Sequence, residues 1–305
     1  MKYITLLTSF IIFLAIIPFS NLKPEEKQRE TFIIWAHSDI QPKKNEHLTN
    51  FPLAVDDIAA NFNYIDIAIT AGDIVEKKNS ADLYRSYLET RKKVKTGGWF
   101  EIAGNHEAKN IKTYKSIINP HLYYSVKAGN ILILFMSNSE KGQQTVIPDK
   151  IFNWWKNKVI SNQDKIIITV THASLKNSGL LQSKMGLKRQ FIKDSKRFEK
   201  VLKENKVDLW LSGHSHFPGY LPYTDIKNNS LGGTVFVDIG AIREDFMAGI
   251  ESRLIYLHQG TDRLIIRHRD HADGKFSDSR EKEYRLSKNF YYSDKDKIYI
   301  DETVD

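Results

Sequence analysis

The sequence predicts a mixed α/β fold in which mixed β-sheets are flanked by helices. Three observations lead there. Short apolar runs rich in strand-forming residues alternate with segments of helical periodicity early in the chain. Late in the chain such runs follow one another directly, so the sheets cannot be built from βαβ units alone. A chain of 305 residues that is 41% hydrophobic and 11% aromatic can bury one large core or two modest ones, and it lacks the bias of a disordered or fibrous polymer.

Taken in order, the first strand is expected at Thr31 to Ala36, followed by an amphipathic helix near Leu53 to Phe62 and a second strand at Tyr64 to Thr70. A helix near Ser80 to Val94 leads to a strand at Trp99 to Ala103, and a helix near Asn110 to Ile118 precedes the fully apolar strand Ile131 to Met136. The helix from Pro148 to Ile160 carries the pair Trp154-Trp155, of which at least one ring belongs to a core. A strand at Lys165 to Val170, a helix at Ser195 to Asn205 and a strand at Val207 to Leu211 complete the alternation. Three further strands follow in succession, at Thr234 to Ile239, Arg253 to His258 and Arg263 to His268. One domain is therefore expected over residues 31–272. Residues 273–305 form a charged C-terminal extension, apolar only around Phe290-Tyr291-Tyr292 and Ile298-Tyr299-Ile300, and should pack on the domain as an irregular tail or a final strand.

Ahead of the domain, Lys2 is followed by an uncharged, mostly apolar run from Tyr3 to Phe19, with Pro18 and Ser20 at its end. Residues 1–22 read as a signal peptide or an N-terminal membrane anchor and residues 23–30 as a polar linker, so the protein is expected to be exported and, if the segment is retained, membrane-associated. The formal charge of +8 favours anionic partners, yet the lysines are spread throughout and form no stripe of the kind that marks a nucleic-acid interface. No specific nucleic-acid or protein partner is indicated. The chain has no cysteine, which excludes disulfides, thiolate nucleophiles and thiolate-bound zinc; any metal must be held by oxygen and imidazole ligands.

Five of the apolar runs end in polar clusters at the same relative place. These are HSDIQ (His37 to Gln41), AGDIVE (Ala71 to Glu76), AGNHE (Ala103 to Glu107), THAS (Thr171 to Ser174) and SGHSH (Ser212 to His216). Each alone has a plain reading. Gly-Asp and Gly-Asn are common turn residues, and two histidines one residue apart can simply be solvated, although in an extended segment both would face the same way. Together, on the one edge expected to be shared by the C-terminal ends of strands in a largely parallel sheet, where open α/β folds bind ligands, they make a metal site the economical explanation.

The ordered set D-x-[HQ], GD-x-x-[DE], GNH-[DE], a lone histidine after a strand, and GHxH resembles the calcineurin-like metallophosphoesterase superfamily, over essentially all of residues 31–216. The resemblance implies a four-layer α/β/β/α sandwich of two mixed β-sheets flanked by helices. It implies a phosphoesterase that hydrolyses a phosphate mono- or diester through a dinuclear centre of two divalent ions, manganese, iron, zinc or similar, with a bridging hydroxide as nucleophile. Carried over residue by residue, Asp73 would bridge the ions. One would also take Asp39, His216 and Gln41, and the other Asn105, His172 and His214. His106 would act as general acid, with Glu76 orienting its ring. Gly72, Gly104 and Gly213 would let the backbone turn beside the ions.

Gln41 departs from the histidine most often found at its position, and a neutral amide oxygen holds a transition metal less tightly than imidazole. His37, two residues before Asp39, could share its strand face as a ligand or as a hydrogen-bonding neighbour of one. Substrate-facing candidates are Lys176, Lys184, Lys188 and Arg189 on one loop, Phe217, Tyr220 and Tyr223 on another, and Arg243 beyond the strand ending at Ile239. The alternative function is a non-catalytic metal- or phosphate-ligand-binding protein on the same scaffold. That reading sits less well with the presence of both Asp73 and His106.

Overall fold

The computed structural model describes residues 30–42, 45–76, 81–138, 145–244, 248–293 and 295–303. The N-terminal apolar run lies outside them, and no helix among the described residues is long and apolar enough to cross a membrane. The first half of the fold comprises β1 (Thr31–His37), α1 (Asn50–Asn61), β2 (Ile67–Thr70), α2 (Ala81–Arg91), β3 (Trp99–Glu101), α3 (Ile111–Ile117), β4 (Tyr123–Ala128) and β5 (Ile131–Met136). It continues through α4 (Asp149–Ser161), β6 (Ile166–Thr171), the short α5 (Leu181–Lys184), α6 (Ser195–Glu204), β7 (Leu209–Ser212), β8 (Asp225–Asn228) and β9 (Thr234–Asp238). The strands β10 (Glu251–His258), β11 (Arg263–Asp270), β12 (Lys275–Phe276), β13 (Lys282–Arg285) and β14 (Tyr299–Thr303) close it.

These strands form two mixed sheets, ordered β12-β11-β10-β1-β2-β3, with β13 also on β11, and β14-β4-β5-β6-β7-β9-β8. The period of two along β1 explains the layering. Phe32, Ile34 and Ala36 point into the core between the sheets, while Ile33 and Trp35 point out to the helices. Ile133, Ile168, Leu211 and Val237 meet them from the second sheet. Helix α1 covers the first sheet with Phe51, Ala54, Val55 and Ile58, the i, i+3, i+4, i+7 stripe of an amphipathic helix. On the other side Trp155 of α4 and Phe198 of α6 pack on Trp210, with Trp155 Nε1 donating to Thr169 Oγ1 at 3.0 Å. The result is a four-layer α/β/β/α sandwich.

Several boundaries differ from the sequence reading. Residues 64–66 are not part of β2, because Asp66 turns its carboxylate onto the Ile33 amide (2.7 Å) instead of continuing the strand. Strands β4 and β8 were not foreseen. In β4, Tyr124, Val126 and Ala128 face the core and alternate with Ser125 and Lys127, so the segment forms no continuous apolar run, and β8 is a polar edge strand, Asp225-Ile226-Lys227-Asn228. The charged C-terminal region supplies β13 to one sheet and β14 to the other, and Phe290 enters the core edge-on to Phe32, 5.4 Å between ring centroids.

A buried ionic knot ties α1 to the first sheet. Asp57 accepts from Arg269 Nε at 2.8 Å and from His271 Nδ1 at 2.7 Å, while His271 Nε2 lies 2.8 Å from Ser252 Oγ, which also accepts from Trp35 Nε1. Burial pushes the Asp57 carboxyl up, but the Arg269 and His271 bonds and charges outweigh it and hold it at about 2. The stabilisation is present above the ordinary carboxylate value of 3.8 and is lost as pH falls through about 2. Asp57→Asn, which leaves a buried guanidinium short of its counter-charge, is expected to cost roughly 3 kcal/mol in urea unfolding at pH 7. A midpoint unchanged from wild type would refute this.

Candidate metal centre

The five polar clusters come from both sheets rather than from one edge. Strands β1, β2 and β3 run parallel in the first sheet and β5, β6, β7 and β9 in the second. Their C-terminal ends meet above the inter-sheet core. Backbone bonds lace the loops together: Asp39 N to Gly72 O at 3.1 Å, Gln41 N to Asp73 O at 3.0 Å, and, between the sheets, Asn138 N to Ala103 O at 2.8 Å. Asp39, Asp73, His214 and His216 all lie in the left-handed region, with φ of 53°, 54°, 68° and 54°. Non-glycine residues adopt that conformation at a cost, and such strain gathers at functional sites when the surroundings enforce it.

His172 is the hub of one group. Its Nδ1 faces the Ala71 carbonyl at 2.8 Å, which turns Nε2 toward Asn105 Oδ1 (3.0 Å) and Asp73 Oδ2 (3.2 Å). The His214 ring lies beside it, 4.8 Å between centroids, and one donor atom each from Asp73, His172 and His214 falls within 4.8 Å of the others. A second group holds Asp39 and His216, with His216 Nε2 3.0 Å from Asp39 Oδ1 and the Gln41 amide 3.4 Å from the same nitrogen. His106, its side chain 15% exposed, stands between Asp73 Oδ2 (3.7 Å from Nε2) and Glu76 Oε2 (3.5 Å from Nδ1). Lys109 Nζ lies 3.1 Å from His106 Nδ1. An open cleft of about 230 Å³ is lined by Gln41, Asp73, Glu76, Asn105, His106, His214 and His216, together with Gln190 and Ser215.

Burial raises the Asp73 carboxyl, but the charge of His172 and its hydrogen bond dominate and hold it well below the ordinary range. Asp39 is likewise lowered, by His216 against burial. Burial works against a charged His172, yet Asp73 raises it to about 9, while burial and the His172 charge press His214 down to about 4. A proton on His172 Nε2 thus sits between Asp73 and Asn105, where oxygen donors and two imidazoles converge without a thiolate. That set suits a divalent first-row ion, so the residues present fit a metal.

A family model described as calcineurin-like phosphoesterase matches residues 32–218, a span that holds every cluster from His37 to His216. The chain belongs to the calcineurin-like phosphoesterase family. Among solved structures, a purple acid phosphatase from yellow lupin (Lupinus luteus) seeds superimposes with a TM-score of 0.64 at 13% identity, over 85% of this chain and 54% of that one. The chain thus spans about half the length of the lupin enzyme. GAP50, the anchor in the inner membrane complex of Plasmodium, superimposes with a TM-score of 0.58 at 12% identity, over 86% of this chain and 90% of that one. At these identities the likeness establishes the fold. No curated protein matches the chain.

Other features of this calcineurin-like site differ from the sequence reading. His37 faces the helical layer, its ring tilted against Trp35 and near Phe51 and with Nε2 3.0 Å from Thr70 Oγ1, so it does not share a face with Asp39. Arg243 is fully buried behind Gln41 and Glu76 and does not reach the cleft as a phosphate contact. Lys184 lies over the exposed Tyr223 ring at 4.1 Å, and Arg189 meets the site through its carbonyl, 3.1 Å from His214 Nε2. Only Gly72 of the three motif glycines has a positive φ, 93°. Gly104 and Gly213 serve close approach instead, since a Cβ would collide with the Asp73 carboxylate at the first and with the Ser38 hydroxyl at the second.

Two residues essential to the local structure carried no role in the sequence reading. Glu107 accepts from the amides of Asp73 (2.7 Å), Ile74 (2.9 Å), Val75 (3.2 Å) and Gly104 (2.8 Å), so one carboxylate shapes both metal-facing loops. Burial and the Asp73 charge push its carboxyl up to about 7, against the pull of the Gly104 and Val75 amides. Asp238, at the end of β9, accepts from Ser215 Oγ and Gly240 N, and braces the turn between His214 and His216. Burial raises it to about 7. The GNH-[DE] pattern contains Glu107 but says nothing of what its carboxylate touches, and Asp238 belongs to no pattern at all.

Proposed function

We propose that the protein is a metal-dependent phosphoesterase in which Asp73, Asn105, His172 and His214 hold one divalent ion, and Asp39, Asp73, Gln41 and His216 a second. The observation that carries this reading is the convergence of Asp73, His172 and His214 on one point beneath an open cleft, with His106 at its mouth. Divalent ions bound there supply Lewis-acid polarisation of a phosphoryl oxygen and lower the pKa of water toward neutrality. The chain's own residues do the remainder. Asp73 and Asp39 provide the negative charge that holds cations in a buried place, and the carbonyls of Ala71 and Arg189 hold the rings of His172 and His214 in the required orientation. His106 has Asp73 beside one ring nitrogen and Glu76 beside the other, a placement that directs Nε2 at the cleft, from which it would protonate a leaving alkoxide.

The substrate is a phosphate ester, with the leaving group recognised by loops whose chemistry varies freely on such a scaffold. Chromogenic phosphomonoesters and phosphodiesters, assayed with added manganese and again after chelation, test the proposal. Metal-dependent turnover is expected, and His106→Ala should lower kcat by about 10²–10³-fold with the bound-ion count unchanged. Inertness toward both ester classes with ions demonstrably bound would favour the binding-protein alternative.

A further inference from the structure

The two halves of the donor set are unequal, and the inequality traces to Arg243. Its guanidinium is completely buried, and Nη1 lies 3.7 Å from Glu76 Oε2 and 3.4 Å from the Gln41 backbone carbonyl. The Gln41 side-chain amide has an orientation dictated by its neighbours. Its nitrogen donates to Asp73 Oδ2 (3.2 Å) and to the Asp73 carbonyl (2.9 Å), and its oxygen accepts from Arg243 Nη1 at 2.8 Å. The end of the amide that faces Arg243 is also the end 3.4 Å from His216 Nε2. The one oxygen that Gln41 can offer a metal is therefore already held by a permanent cation. Around His172, Asn105 and Asp73 direct their oxygens at an imidazole nitrogen, which gives up its proton when an ion binds.

We propose that Arg243 makes the centre asymmetric: the Asp73, Asn105, His172 and His214 position keeps a resident ion, and the Asp39, Gln41 and His216 position takes its ion weakly and reversibly. This rests on the metal-dependent reading given above. A guanidinium stays charged throughout the working pH range. An ion entering beside it must draw the Gln41 oxygen away from Nη1, or share that oxygen with it. It must also tolerate a like charge in a buried place, where water screens poorly. Glu76 offsets part of the Arg243 charge, which keeps the second position usable. Arg243 is thus a positioning residue, holding Gln41 toward Asp73 on one side and Glu76 toward His106 on the other.

Chelator-treated full-length protein, titrated with manganese by calorimetry and counted by elemental analysis after equilibrium dialysis, tests the asymmetry without recourse to activity. One ion per chain should bind tightly and a second about 100-fold more weakly. Arg243→Met should tighten the second site by at least about tenfold while the first changes by less than about threefold. Because removal of a buried arginine can unfold the chain, Gln41→His supplies an independent arm. It leaves Arg243 in place, replaces the contested amide with an imidazole, and should also tighten the second site about tenfold. Two ions of equal affinity in wild type overturn the asymmetry, and a second-site affinity unchanged in folded Arg243→Met, or in Gln41→His where that variant unfolds, overturns its assignment to the Arg243–Gln41 contact. Failure to bind any ion instead removes the metal-dependent reading itself.

Discussion

Replacing Asp73 with asparagine is expected to reduce metal-dependent phosphoester hydrolysis by at least about 10³-fold and to abolish tight binding of a divalent ion. The substitution preserves shape and removes one negative charge, so it isolates electrostatics from packing. The Asp73 side chain is 1% exposed and lies within reach of four groups: Oδ1 accepts the His106 amide at 2.9 Å, and Oδ2 lies 3.2 Å from His172 Nε2, 3.7 Å from His106 Nε2 and 3.2 Å from the Gln41 amide nitrogen. An asparagine oxygen can still accept one of these bonds, but it cannot balance a cation in a buried site. A second readout separates lost charge from lost structure. Burial opposes a charged His172, and it is Asp73 that raises this imidazole to about 9. In metal-free wild type, an incoming ion must displace the His172 proton at any pH below about 9, so affinity should climb with pH up to that value. In the asparagine variant, NMR titration should show His172 losing its proton at clearly lower pH, and the residual metal affinity should level off earlier. Turnover within tenfold of wild type, or a His172 titration that does not move, would show that Asp73 is not the charge at the heart of this centre.

Why the site was legible from the sequence, and where legibility ended, follows from what each residue touches. Asp39, Asp73, Asn105, His172, His214 and His216 each stand just past a strand, and strand ends announce themselves through apolar runs that stop at polar clusters. Parallel pairing gathers those ends within each sheet, and the face-to-face stacking of the two sheets joins the two sets. The two-sheet arrangement was implied only through the family resemblance, since nothing in an apolar run says which sheet it joins. Contacts between a side chain and the backbone of a distant loop leave no trace in residue spacing. Glu107 reaches the amides of Asp73, Ile74 and Val75 in this way, and Ser38 hydrogen-bonds the Gly240 carbonyl at 2.9 Å. Arg243 is the reverse case. As an arginine near a strand end it suggested a phosphate contact, but its burial behind Gln41 and Glu76 makes it a charge inside the scaffold. Strands β8 and β13 were missed for a related reason: Asp225-Ile226-Lys227-Asn228 and Lys282-Glu283-Tyr284-Arg285 are polar edge segments, paired through backbone rather than specified by an apolar face.

Glu107→Gln is expected to destabilise the protein by about 2–3 kcal/mol at pH 8 and to weaken divalent-ion binding about 10–100-fold, although Glu107 is not itself a proposed ligand. Each carboxylate oxygen receives two amides, Oε2 those of Asp73 and Gly104 and Oε1 those of Ile74 and Val75. A carboxylate has acceptor capacity for all of them; glutamine replaces one oxygen with an NH₂ group that confronts two N–H donors in a site 1% exposed. Water cannot take over there, so the unmet donors bear the desolvation cost of burial without compensation. Relaxation of either loop relieves that cost, and these loops carry Asp73, at a φ of 54°, and Asn105. The variant should therefore lose metal affinity in step with stability, with urea unfolding and ion titration run on the same preparations. Glu107→Asp retains the charge but withdraws it by one methylene. It should recover part of the stability if charge dominates and little if geometry does. An unfolding midpoint and an ion affinity both equal to wild type in Glu107→Gln would show that the two loops hold their shape without this clamp, and that Asp73 owes its left-handed backbone to the remaining lacing of Gln41 N to its carbonyl and His106 N to its carboxylate.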